Sequence, residues 1–130
     1  MDDEARYDQG MKRRRSVLGD TWVDQANVGK TDFNAEFQNF ITRCAWGEVW
    51  TRDHFDTRTR RILVIGTMIA LGQWDEFRMH VRAALNEGGF SADDIKEIIL
   101  QQAIYCGVPA ANHAFKEAAD LVREQAGKKA

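Results

Sequence analysis

The chain of 130 residues contains one proline, Pro109, and two cysteines, Cys44 and Cys106, and these scarcities already narrow what it can be. The cysteines stand 62 positions apart, so they form neither a CxxC redox pair nor a local metal knuckle. His54, His80 and His113 have no metal-ligand spacing to one another or to a cysteine, so no metal is expected. A Gly-rich phosphate loop and a GxSxG elbow are both missing, which removes the footing for nucleotide chemistry and serine hydrolysis. The longest apolar run, ILVIGTMIAL at 62–71, is ten residues, about half of what a bilayer crossing needs, so no membrane partner is expected. Charge of one sign is lacking too. With 18 Lys and Arg against 20 Asp and Glu, the formal charge of −2 gives no field that would gather nucleic acid. KRRR, residues 12–15, would spread around all faces of a helix rather than line a phosphate backbone. The opening MDDEARYDQG is acidic where an export signal would be basic and then apolar, so a reduced, cytoplasmic location is the expectation.

What is present reads as helix. Hydrophobic residues at 44% and charged residues at 29% are the balance of a globular protein, and the length suits a single domain over 1–130. Alternating β-branched runs are scarce, whereas three- and four-residue apolar steps recur. The pattern predicts about six helices. The first spans about 3–18 and stops at Gly19; the second runs from Asp32 as N-cap through Phe33, Phe37, Phe40, Ile41 and Cys44. The third starts near Asp56 or Thr57 and continues through the apolar run to Leu71, and the fourth covers about 73–87, ending at EGG. The fifth opens with Ser91 and Asp94 as a capping box and buries Ile95, Ile98, Ile99 and Ala103. The last follows Val108, with Pro109 in its first turn, and presents Ala111, Ala114, Phe115, Ala118, Leu121 and Val122. Because the third helix is apolar on nearly every side, it must be surrounded, and a chain this small points to a homo-oligomer.

Three constellations carry possible chemistry. Glu76 and His80 stand four apart on one helix, which fits an acid/base pair and equally an ordinary helix-face ion pair. In WGEVWTRDHF, residues 46–55, Trp46 and Trp50 bracket Glu48. Either the tryptophans cover the core, or they hold Glu48 in a partly dry pocket that raises its pKa toward neutrality. TRTRRI, residues 57–62, places Arg58, Arg60 and Arg61 at a helix start, where the dipole favours anions; they serve either to grip a carboxylate or to pair with neighbouring acids.

Taken together, RYDQGMKRRRSVLGD, DFNAEFQNFITRCAWGEVWTR, TRRILVIGTMIAL, EFRMHVRAALNEGG and IKEIILQQAIYCGVPAANHAF resemble the carboxymuconolactone decarboxylase family over nearly the whole chain. WGEVWTR, HVRAAL and YCGVPAAN are the specific stretches, and they are most similar to the stand-alone members that act on γ-carboxymuconolactone. The resemblance implies an alkylhydroperoxidase-like all-α fold and a ring-like hexamer. The peroxidase relatives carry CxxC ahead of the histidine; counting back from His80, those positions are Gln73 and Glu76, and the relatives' proton-relay glutamate falls at Arg61. Thiol peroxidase chemistry has no nucleophile here.

What the resemblance implies instead is cofactor-free loss of carbon dioxide from a lactone dicarboxylate, giving 3-oxoadipate enol-lactone in the protocatechuate branch of aromatic catabolism. On that reading His80 is the proton donor, Glu76 or Glu48 orients and recharges it, Arg61 or Arg82 binds carboxylate, and Trp46 lines the pocket. Two alternatives stay open: a different small-acid lyase or isomerase on the same fold, and a non-enzymatic helical module in which Glu76 and His80 merely pair.

Overall fold

The computed structural model describes residues 2–129, and among them every regular element is a helix. In chain order these are α1 (Asp3–Leu18), α2 (Asp20–Val28), α3 (Ala35–Ile41), a π-helix (Thr42–Val49), α4 (Thr57–Leu71), α5 (Trp74–Asn86), α6 (Ala92–Cys106) and α7 (Val108–Lys129). The all-α expectation holds, with α2 and the π-helix added to it. The chain forms two compact units, one ending at Thr57 and the other beginning at Arg58.

In the first unit, Asp2 caps α1 by accepting from the Ala5 amide at 2.8 Å, and Gly19 ends it with φ 90°. The chain then turns straight into α2. The Val23 amide donates to the Gly19 carbonyl, and Arg15 reaches forward to Asp20 at 3.1 Å and Asp24 at 2.9 Å. A glycine read as a stop is therefore also a start. α1 packs on the π-helix through two glycines. A Cβ on Gly10 would overlap the Thr42 carbonyl oxygen and lie 2.9 Å from the Gly47 nitrogen, and one on Gly47 would overlap the Arg6 carbonyl oxygen.

The second predicted helix differs most from expectation. Asp32 does not cap it; Asn34 folds the preceding turn by accepting from the Thr31 amide at 2.7 Å, and the helix begins at Ala35. Phe33, Phe37 and Phe40 are 99%, 61% and 54% exposed, so the face predicted to be buried is open within the chain. After Ile41 the hydrogen bonds lengthen to π spacing, as in the Trp50 amide donating to the Ala45 carbonyl at 2.9 Å. The buried Thr42 hydroxyl donates back to the Gln38 carbonyl at 2.8 Å, a bond that competes with regular α geometry.

The second unit has the core that the sequence periods describe. Ile65 and Ile69 of α4, Phe77, Val81 and Ala84 of α5, Ile95 and Ile99 of α6, and Ala114, Ala118 and Leu121 of α7 are buried together. Alanines on α7 let its backbone come close to its neighbours, while Phe115, predicted inward, is 42% exposed. The capping box forms: the Ser91 amide donates to Asp94 at 2.8 Å and the Asp94 amide to the Ser91 hydroxyl at 3.1 Å. α5 and α7 are clamped by Arg78, whose guanidinium meets Asp120 in two bonds of 2.9 and 2.8 Å and holds that carboxyl down at about 2. Trp74 stacks on His113 with ring centres 4.2 Å apart beside this clamp.

Gly10 and Gly29 give a direct test of the first unit. Gly10→Ala should cost about 1–3 kcal/mol, because the added methyl meets backbone that cannot rotate away. Gly29 has ordinary helical angles, φ −76° and ψ −2°, with the nearest atom to an added Cβ 3.5 Å off. Gly29→Ala should therefore be neutral or stabilising by up to about 1 kcal/mol. Urea midpoints of the two variants would check this, and equal costs would overturn the packing argument.

Candidate active site

His80 and Arg61 are the two candidate residues that the fold removes from water together. α5 carries Phe77, Val81 and Ala84 inward, and His80 shares that side, leaving it 6% exposed. Burial pushes the His80 pKa down to about 4, and the nearby Arg61 charge pushes it the same way. The imidazole is neutral across the ordinary pH range.

Arg61 sits in the second turn of α4, on the side that continues through Ile65 and Ile69, and is 3% exposed. Burial lowers its pKa, with the Glu87 charge opposing, but an arginine keeps its proton under either influence. Its Nε and Nη1 find no hydrogen-bond partner among the described residues. That is the informative observation, because a buried charged donor without an acceptor is costly. The neighbouring Arg58 is otherwise engaged. Arg58 lies 4.4 Å over the Phe90 ring and 3.1 Å from Asp94, and so takes the ion-pair role.

The other predicted residues fall elsewhere. Glu76 is on the exposed side of α5, and the influences on His80 are burial and Arg61 rather than Glu76. The two residues share one helix, but the fold puts Glu76 in solvent and His80 in the core. Arg82 is half-buried on α5. Trp46 and Glu48 belong to the first unit. Trp46 is 6% exposed and stacks on Trp50 with ring centres 4.9 Å apart, which gives the tryptophans a packing role. Glu48 is not in a dry aromatic pocket: its side chain is 54% exposed and lies 3.2 Å from Arg6.

Two residues next to the site were missed. Glu87 supplies the carboxylate that acts on Arg61, and Gly88 lies against the guanidinium, such that a Cβ there would stand 2.7 Å from Arg61 Nε. EGG reads in sequence only as a helix stop, and no local signal ties it to a residue more than twenty positions upstream. Among the described residues, no three His, Cys, Asp or Glu side chains are grouped to hold a metal ion.

A buried guanidinium with unspent donors beside a neutral imidazole is suited to taking up a small organic anion and exchanging a proton with it. Known proteins point the same way. The chain is 44% identical over 124 residues, 95% of its length and 92% of the relative's, to 4-carboxymuconolactone decarboxylase of Acinetobacter baylyi. It is 38% identical over 109 residues, 84% of its length and 76% of the relative's, to nitrosuccinic acid decarboxylase of Metarhizium robertsii. A 48-residue 4-carboxymuconolactone decarboxylase sequence from Pseudomonas putida is matched in full at 54% identity, over 37% of this chain. The family model described as "Carboxymuconolactone decarboxylase family" matches residues 35–120, and the chain belongs to that family.

Proposed function

We propose that the protein is a carboxy-lyase that converts 4-carboxymuconolactone to 3-oxoadipate enol-lactone and carbon dioxide, working in the cytoplasm without metal or cofactor. The observation that carries this reading is Arg61, buried with two donors unused. The substrate is an unsaturated lactone whose saturated ring carbon bears a carboxylate and an acetate arm. When the bond to the ring carboxylate breaks, its electron pair moves through the ring double bond into the lactone carbonyl. Carbon dioxide leaves and a dienolate remains; a proton added to the carbon α to the carbonyl completes the product. The ring is its own electron sink.

Arg61 holds the acetate carboxylate, which survives the reaction, and His80 delivers the proton. A pKa of about 4 means that His80 is unprotonated before the substrate arrives. Two carboxylates beside it favour the imidazolium, and the dienolate that follows keeps one negative charge in the ring. The substrate thus brings its acid into the required state. Glu76 and Glu48, both exposed, have the weaker claim to recharge it, and Arg82 is the second candidate for carboxylate.

The relative from Metarhizium robertsii favours a second reading, a different small-acid decarboxylase on the same site. A nitro group, like an unsaturated lactone, accepts the electron pair that carbon dioxide leaves behind. Parallel assays on 4-carboxymuconolactone and nitrosuccinate separate the two.

The same reading includes a homo-oligomer, for which the hexamer is our proposal. Ile62, Leu63 and Leu71 of α4 are 40%, 54% and 63% exposed, and Ile104 and Tyr105 of α6 are 78% and 77% exposed. Covering apolar side chains of this size is worth about 1.5–3 kcal/mol each.

Three outcomes follow. With 4-carboxymuconolactone formed in situ, His80→Ala should lower kcat by about 10²–10⁴-fold, whereas Arg61→Ala should raise KM by about 10–100-fold. Wild-type turnover by folded His80→Ala would refute the acid assignment. Next, the His80 pKa falls from 6.5 when unfolded to about 4 when folded, so the unfolded chain binds the extra proton between those values. Stability should therefore decline as pH drops from 6.5 to 4, by up to roughly 3 kcal/mol, and His80→Gln should remove that part of the decline in urea titrations. Finally, light scattering on a sizing column should give a multiple of 14.9 kDa, with Ile104→Glu dissociating it; a wild-type monomer would end the oligomer reading.

A further inference from the structure

We infer that Gly88 is a positioning residue for the reaction, its bare Cα forming the wall against which the Arg61 guanidinium is set. The inference deepens the reading of Arg61 as carboxylate anchor and rests on it. A Cβ at Gly88 would stand 2.7 Å from Arg61 Nε, 2.9 Å from the Ala84 carbonyl oxygen and 3.0 Å from Arg61 Cδ, so two of its three nearest atoms belong to Arg61. No residue but glycine leaves Arg61 where it is. The need is not one of backbone conformation, since positive φ belongs to Gly89, at 69°, where an added Cβ meets nothing within 4 Å. Of the two glycines in EGG, one serves the turn and the other serves the arginine.

The surroundings of Gly88 explain how Arg61 is held while its Nε and Nη1 stay unused. The amides of Glu87, Gly88 and Phe90 donate to the carbonyls of Ala83 and Ala84, closing the C-terminal end of α5. That end carries the partial negative charge of the helix dipole, and a cation beside it is favoured. Glu87 adds a carboxylate that acts on Arg61 through space. Field and shape together hold the guanidinium, while Nε and Nη1 stay without a partner among the described residues. An anchor bonded to the protein on every N–H would have to break those bonds to take up an anion; this one does not.

The test compares Gly88→Ala, Arg61→Ala and the double variant in the full chain. Gly88→Ala should raise KM for 4-carboxymuconolactone by about 10–100-fold with a smaller change in kcat. In the Arg61→Ala background the same substitution should add nothing, the signature of one residue acting through another. A second readout needs no substrate: the NMR titration of the His80 ring should move upward in Gly88→Ala, because the displaced Arg61 charge no longer opposes protonation. If Gly88→Ala fails to fold and Arg61→Ala/Gly88→Ala folds, the clash is with Arg61 and the inference stands. If both fail, the glycine serves the backbone, with the Ala84 carbonyl oxygen 2.9 Å from the added Cβ as the reason, and the inference is wrong. A folded Gly88→Ala with wild-type KM and an unmoved His80 titration also overturns it. Wild-type protein inert toward the lactone would instead refute the functional reading, and the His80 titration would still decide whether Gly88 sets Arg61.

Discussion

The guanidinium of Arg61 is removed from water with two nitrogens unpaired among the described residues, and an arginine left so carries a desolvation cost of several kcal/mol that the rest of the second unit must outweigh. It does so with the packed side chains of α4, α5, α6 and α7, among them Phe77, Phe90, Ile65, Ile69, Ile95 and Ile99, all under 2% exposed. The site is thus an expense carried by the core beside it. In the proposed role of anion anchor that cost is useful: a charge already stripped of water loses no further hydration when an anion arrives, and its full attraction is available for binding.

Much of that core was legible because helical periods are local. Phe77, Val81 and Ala84 announce which side of α5 is inward, Ser91 and Asp94 announce where α6 begins, and both expectations hold to within a residue or two. α2 was not legible. Its start depends on Gly19 ending one helix and accepting the first hydrogen bond of the next, a double use that composition cannot disclose. The π-helix was invisible for a similar reason, since its wider hydrogen-bond spacing leaves no compositional mark, and Glu48 within it is exposed.

The candidate site was legible in its residue types and not in its contacts. His80 and Arg61 drew attention for their residue types and neighbours, but the partner assigned to His80 from spacing, Glu76, lies in solvent, and the group that acts on it comes from another helix. Spacing of four along a helix specifies that two side chains are neighbours; it does not specify that both are buried. His80 stands at the border of the apolar stripe and Glu76 just beyond it. Gly88 was read as punctuation because its contact with Arg61 joins the end of α5 to α4, and such joins are made by packing rather than by sequence neighbours.

With His80 as the proposed acid, its neutral state bears on when the proton becomes available. Burial first, and the like charge of Arg61 second, keep the ring unprotonated. Bringing a dianion into that site reverses the sign of the local field, so the site without substrate favours the base and the occupied site favours the acid. As carbon dioxide departs, charge leaves the carboxylate and spreads over the ring, where the proton is needed. On the proposed assignment, binding, protonation and bond breaking are linked through one electrostatic quantity, the net charge around the imidazole, and burial together with Arg61 sets its starting value.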